Sequence, residues 1–548
     1  MTNYRLGNDN LTDNRKFFRD KRSGSAPNGF LSFDDVARNE ITSTITSTFN
    51  KKFADKFEAT LLIGQDINTR TFRQSIITGS QLVLPGIQNT NNIQTFDPGY
   101  NYTSKRNLIG AFGNLTLSYN NYLFLDVVGR NEWSSTLPQQ NRSFFYPGAS
   151  ASFIFSEALD IKGDILNYGK LRVGAAKTAR DAGTYLTQQT FQLGEFADGF
   201  TDGIVFPFNG LPGYTVDNTI ANTNLEPEFT TEYEIGVELK MFKNRLGLDA
   251  SYFRNVNTGG IIPLDISPAT GAQQTIINSG QTNSRGIELA LRGTPIQTKD
   301  FKWDINVNFS KIKSNVDQTF PGIDKIFLGG FGGNPAIFAV QGERYGSIIG
   351  SGYARNESGQ ILTDDDGYPL FEDGINLGYV EPDWTGGLTN TFTYKNLYIS
   401  AQFDTRQGGS IYSGTEELLD FYGVSAKTAS REDDYTFPGV NQTTGNPNDV
   451  VLKRDAVWYG SAYPNQEYVY ENNWVKLREA SIGYTFKLNN RSIKALDVSL
   501  YGRNLALWTK VPHIDPESSS FGTGNAQGVS RFAFPTTRTI GFNLRVQF

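Results

Sequence analysis

The chain closes on Arg538-Thr539-Ile540-Gly541-Phe542-Asn543-Leu544-Arg545-Val546-Gln547-Phe548, and this stretch decides how the rest is read. Ile540, Phe542, Leu544, Val546 and Phe548 are apolar, and the residues between them are polar or small. Side chains alternate faces along a strand, so a period of two predicts a strand with one oily and one wet face. A single strand of this kind also fits a soluble sandwich. Its recurrence along the chain separates the two readings.

Working back from the end, Trp474–Lys487 and Ala495–Leu507 alternate in the same way, as do Thr385–Tyr394 and Leu397–Arg406 around Lys395-Asn396. Phe301, Trp303, Ile305, Val307 and Phe309 stand against Lys302, Asp304, Asn306, Asn308 and Ser310. Glu228–Lys240 turns at Phe242-Lys243-Asn244, and Asn107–Tyr119 turns at Asn120-Asn121, where Asn tolerates the positive φ of tight hairpins. The first strand is placed near Ile41–Asn50. Residues 67–104 and 257–283 are read as irregular connections, and 178–228, 311–383 and 407–472 as long insertions. About 15 strands result, with short turns and long loops in strict alternation. That parity predicts an all-β, antiparallel transmembrane β-barrel with its long loops outside the cell. Residues 1–40 are assigned to an extracellular loop or the start of a fragment, and 41–548 to the barrel.

Composition agrees. Hydrophobic residues are 38% of the 548, and no apolar run approaches the ~18–20 residues of a spanning helix. Mean hydropathy is −0.39, as expected when apolar residues are diluted one in two along barrel strands. Forty Phe and 26 Tyr supply material for aromatic girdles. The net charge of −6 points to no nucleic acid. Cysteine is absent and His513 is the only histidine, which removes thiolate zinc sites, cysteine nucleophiles and His-based triads. No catalytic residue, metal site or cofactor is assigned, and the chain is not read as an enzyme.

Loop aromatics are the candidate substrate contacts: Tyr412, Tyr422, Trp458, Tyr459 and Tyr463 share one long loop with acidic neighbours. Aromatic faces stack on sugars; packing within the loop or contact with a lid is the competing and favoured reading. Trp133, Trp303, Trp474 and Trp508, with Trp384, sit near strand ends and are read as membrane-interface anchors. Phe542, Leu544, Val546 and Phe548 form the lipid face of the C-terminal barrel strand. Asp364-Asp365-Asp366-Gly367 fails the calcium-loop register and reads as a turn. Gly329-Gly330-Phe331-Gly332-Gly333 lacks the strand-then-helix context of a phosphate site.

Asn222-Thr223-Asn224-Leu225-Glu226-Pro227-Glu228, running into Thr231-Glu232-Tyr233-Glu234-Ile235-Gly236, resembles a motif of TonB-dependent outer-membrane transporters. Arg130–Ser135, Phe145–Ser150, Asn283–Glu288, Trp474–Glu479, Gly502–Leu505 and Phe534-Pro535, in this order, resemble the SusC/RagA branch found in Bacteroidota. The resemblance implies a 22-stranded barrel with a plug inside it, of which this chain supplies the C-terminal portion without the plug. It further implies import powered by TonB–ExbB–ExbD through that plug, a SusD-like surface lipoprotein as lid, and oligosaccharide or peptide as cargo. A passive porin or a surface adhesin barrel is the alternative.

Overall fold

The computed structural model describes residues 2–19, 29–84, 86–96, 99–161, 163–193, 195–196, 204–331, 335–488 and 492–548. Its long strands are β1 (Thr2–Arg19), β2 (Phe30–Phe53), β3 (Phe57–Leu82), β4 (Tyr100–Tyr119), β5 (Leu123–Ser134), β6 (Ser143–Phe153), β7 (Leu166–Arg180), β8 (Glu228–Met241), β9 (Leu246–Asp265), β10 (Gln274–Gln297), β11 (Phe301–Gln318), β12 (Trp384–Tyr394), β13 (Leu397–Gln407), β14 (Trp474–Lys487), β15 (Ala495–Thr509) and β16 (Thr539–Gln547). The all-β, antiparallel class expected from the alternation is what the chain adopts. The short turns fall where expected, with positive φ at the Asn positions and also at Phe242 and Lys243, whose residue types do not predict it. Asn120 and Asn121 have φ of 49° and 60°, and Phe242, Lys243 and Asn244 have 54°, 59° and 63°.

Two compact units are present: residues 1–151, 174–231 and 258–279, and residues 152–173, 232–257 and 280–548. In the first, β1 to β5 form an antiparallel meander, with β2 and β3 in register from Phe53↔Phe57 to Phe30↔Ser80. Ile41, Ile45, Phe49, Ile63 and Ile67 stay exposed on one face. The other face carries ion pairs: Arg130 reaches Asp66 at 2.8 Å and Glu132 at 2.6 Å, and Arg106 reaches Asp181 at 2.6 Å. An oily exposed face and a paired polar face is the division a barrel wall requires. A small core forms where Leu225, fully buried, meets Leu137, Phe144, Ala182 and Ile276.

Three sequence expectations are corrected here. Residues 1–40 are not irregular: β1 pairs with β2 from Thr2↔Ser47 to Arg19↔Phe30, so strand structure begins well before Ile41; residues 20–28 lie outside the described ones. Residues 67–104 contain the end of β3 and the start of β4, paired from Ile67↔Ile109 to Ile76↔Tyr100. Residues 257–283 reduce to a short connection between β9 and β10. In each case the strand extends past its oily segment. β2 and β3, at 24 and 26 residues, are more than twice the ~9–11 a membrane strand needs. Beyond the bilayer neither face must be apolar, so the alternation stops while the hydrogen-bond ladder continues.

In the second unit β10 to β16 form another antiparallel meander. The connection after β11 is not loose. Lys325–Gly330, Ala336–Val340, Ser347–Tyr353 and Phe371–Tyr379 make a four-stranded sheet whose Ile337 and Ile348 are fully buried. The connection after β13 holds two short helices, α1 (Gly414–Phe421) and α2 (Ala456–Ser461). Ser413 caps the first by accepting from the Glu416 N–H, and Asp455 caps the second by accepting from Val457 and Trp458.

Candidate cargo-handling site

Trp474, Lys476 and Arg478 stand at the start of β14, where the loop before it re-enters the sheet. Lys476 is 2% exposed, a burial an ammonium tolerates only with counter-charges. They come from the connection between β15 and β16: Lys476 Nζ donates to Asp515 at 2.8 Å and also to Glu517. Arg478 lays both terminal nitrogens on Glu517, at 2.9 and 2.7 Å, and gives its Nε to Asp404 of β13 at 2.7 Å. A planar guanidinium suits this fork. Burial alone would raise the Asp515 pKa; donation from Lys476, from the Thr536 hydroxyl and N–H and from the Glu517 N–H outweighs it and holds the group at about 2. Glu517 is likewise lowered, with Arg478 and Lys476 overcoming its burial. Two cations and three carboxylates thus fasten residues 515–517 to the sheet.

Against this cluster lies a cavity of about 550 Å³. Asn308, Thr385, Gln402, Thr405, Ser519 and Gln527 bring amides and hydroxyls to it. Three buried polar atoms of lining residues, Arg406 Nε, Asn472 Oδ1 and Trp474 Nε1, have no hydrogen-bond partner among the described residues. Of its four charged members, Asp404, Arg478 and Glu517 are bonded to one another, and Arg406 donates a terminal nitrogen to the Val380 carbonyl. What the cavity offers a guest is neutral amides and hydroxyls, the Nε edge of the Arg406 guanidinium and one indole.

The loop aromatics fare differently from one another. Trp458 is fully buried, and it gathers Tyr435, Phe437, Tyr459 and Tyr463 into one core, with Tyr463 edge-on at 5.9 Å. Tyr459 is buried and its hydroxyl donates to the Lys427 carbonyl at 2.9 Å. Tyr463 is half-buried, with Lys427 Nζ 4.3 Å from its ring centre. Tyr412 is buried in a neighbouring core, and its hydroxyl donates to Glu417. Burial and the nearby Glu417 charge push the Tyr412 hydroxyl pKa upward. These four rings are covered by their neighbours, as the loop-packing reading has it, and as substrate contacts they offer no open stacking face. Tyr422 alone of the five does so, at 69% exposure, with Phe421 edge-on at 5.1 Å.

The interface tryptophans also divide. Trp133 and Trp508 are exposed, and Trp303 stacks on Phe392 at 5.7 Å along the apolar face. Trp474 is corrected: it is 7% exposed, shares the polar face with Lys476, and has Lys476 and Arg478 over its ring. Its neighbour Val475, in register with Trp508, takes the apolar side. On β16, Ile540, Phe542 and Leu544 are exposed, as is Phe548 beyond it, and Val546 is half-buried.

The smaller motifs are structural. Asp364 Oδ1 accepts from the N–H groups of Asp366 and Tyr368, closing a turn. Of the glycine run, Gly332 and Gly333 lie outside the described residues; Gly329 leaves room for Ala526, whose Cβ would stand 2.5 Å from an added one. Asn222–Glu228 anchors backbone. Asn278 brackets Glu226 through its N–H and C=O, both at 2.8 Å, and Glu228 accepts from the Ile261 N–H at 2.7 Å.

A family model described as TonB dependent receptor-like, beta-barrel matches residues 2–505. The TonB-dependent receptor P26 of Formosa agariphila is 26% identical over 508 residues, covering 84% of this chain and 48% of its own length. The TonB-dependent receptor SusC of Bacteroides thetaiotaomicron is 23% identical over 476 residues, covering 82% and 44%. The solved structure of the RagAB peptide transporter superposes with a TM-score of 0.75 at 18% identity, over 100% of this chain and 60% of that one. The chain therefore spans about half the length of the curated relatives it matches.

Proposed function

The chain belongs to the TonB-dependent receptor-like β-barrel family, and from that premise we propose that it supplies barrel wall and outer loops to a SusC/RagA-type nutrient importer of the outer membrane. Its cargo is an uncharged oligosaccharide. The observation carrying the cargo class is the cavity beside Trp474. Asp404, Arg478 and Glu517 are spent on one another, while the cavity's amides, hydroxyls and unpartnered Arg406, Asn472 and Trp474 atoms suit a hydroxyl-rich guest. Tyr422 is the one loop aromatic of the five free to stack on a sugar ring. A SusD-like lipoprotein lid and TonB–ExbB–ExbD, acting through a plug, complete the machine.

The test is uptake by the native host, with and without the gene, of fluorescent neutral oligosaccharides and of charged peptides of similar size. Expected is an oligosaccharide uptake that requires the gene and collapses when the proton gradient is discharged. Uptake that survives discharge would establish the passive channel instead. Gene-dependent uptake of peptides alone would overturn the cargo class.

A further inference from the structure

The apolar face of the second unit ends in a block of positive charge. Along β11 the apolar-face positions run Phe301, Trp303, Ile305, Val307 and Phe309, all half-buried, then Lys311 and Lys313, both exposed. Trp303 stacks on Phe392 near one end of this run, and Phe309 packs against Trp384 at 5.7 Å near the other. Six residues separate Trp303 from Phe309, about 20 Å of strand, close to the ~25 Å of a barrel's apolar band. Lys311 and Lys313 are the next two positions outward, on the side away from the short turns. The adjoining strand repeats the order: Leu289 and Ile287 are exposed, then comes Arg285. On β9, Tyr252 is followed by Arg254, whose Nε donates to Asn283 beside Arg285 at 3.3 Å.

Arg285 is directly opposite Lys313, and Ile287 opposite Lys311. Like charges facing each other across a ladder destabilise a sheet. All four basic side chains are exposed, and among the described residues none forms an ion pair. Nearby carboxylates are engaged elsewhere: Glu381 and Asp383 with Arg344, and Asp317 with Gln281. The block is local. On β14 and β15 the corresponding apolar-face positions hold Val475 and Trp508.

We propose that Arg254, Arg285, Lys311 and Lys313 form a binding surface for the phosphate groups of an outer-leaflet glycolipid. Its acyl chains lie along Ile287, Leu289, Val307 and Phe309. An anionic headgroup at this level supplies the counter-charge the sheet lacks, and basic side chains just above an apolar band attract anionic lipid. The inference rests on the outer-membrane reading of the family.

The test uses the complete transporter in nanodiscs of phosphatidylethanolamine doped with bis-phosphorylated lipid A, with bound lipid read by native mass spectrometry. The wild type is expected to retain the phosphorylated lipid and not its dephosphorylated form. Arg285→Gln/Lys311→Gln/Lys313→Gln is expected to weaken retention about fivefold per charge, about a hundredfold in all. Arg285→Lys/Lys311→Arg/Lys313→Arg is expected to keep it. Equal retention of the dephosphorylated lipid, undiminished retention by the neutral variant, or loss in the charge-preserving one would each overturn the proposal. Failure of the wild type to enter nanodiscs of neutral lipid is a different result, and overturns the outer-membrane reading itself.

Discussion

Lys476 with Arg478, and Arg285 with Lys313, are the same residue types on strands of one unit, used in opposite ways. The first pair is enclosed by Asp404, Asp515 and Glu517, and Lys476 is 2% exposed. The second pair is exposed on the other face, opposed in register, with no carboxylate paired to either side chain among the described residues. On the polar face, positive charge is internal fastening: it ties the segment around Asp515 to β14 and shapes the cavity beside Trp474. On the apolar face it has no ion-pair partner among the described residues, which leaves it open to one from outside the protein. Charge type alone does not assign a role; the face of the sheet and the carboxylates within reach do.

The comparison breaks most readily at Lys476. Lys476→Ala removes the ammonium and leaves Asp515 and Glu517 buried beside a single guanidinium. The expected loss is about 3–5 kcal/mol, the range for stranding one side of a buried ion pair, read as a shift in urea unfolding in detergent. Adding Asp515→Asn and Glu517→Gln to that variant should recover much of it, because the uncompensated charges go too. No recovery would mean that the amine acts through packing rather than charge.

Acid should loosen the same fastening without any substitution. Asp515 is depressed to about 2, so its contribution is complete above the ordinary carboxylate range and is lost as pH falls through about 2. A shift of this size corresponds to about 2 kcal/mol. Hydrogen exchange across residues 511–538 should therefore rise between about pH 4 and pH 2, ahead of exchange in β14 and β15. Simultaneous exchange of segment and strands would show that the segment is not a separately releasable element.

How much of this was legible follows from what each feature needs. β11 and β16 were readable because lipid on one side imposes a strict period of two. β1 and the outer half of β3 were not: stretches such as Asn68-Thr69-Arg70-Thr71 need no oily face, and only the ladder, which leaves no sequence pattern, keeps them extended. Trp474–Glu479 was visible as a family motif, but its carboxylates stand 39 residues further on, across a long connection. Trp474 was assigned to the wrong face because nearness to a strand end was weighed without parity; Lys476 two positions on was the available signal. Trp458 looked like a free loop aromatic, yet the Asp455 cap before Ala456-Val457-Trp458 marks a helix start and hence a packed face.

The smallest expected effect sharpens the comparison furthest. Arg285→Gln, in detergent or neutral lipid, should change unfolding stability by less than about 0.5 kcal/mol, the usual range for an exposed position. Any change should be toward greater stability, because the substitution relieves the like-charge opposition with Lys313. The gain should shrink as salt is raised, since exposed charges are screened within about 8–10 Å near physiological ionic strength. In membranes carrying phosphorylated glycolipid the sign should reverse, because the arginine then loses a partner rather than a repulsion. Lys476→Ala should be destabilising in both media, as its partners travel with the protein. Urea unfolding of the two variants in neutral and in phosphorylated lipid measures all four values. If Arg285→Gln destabilises equally in both, Arg285 has a partner within the protein and the contrast between the two faces fails.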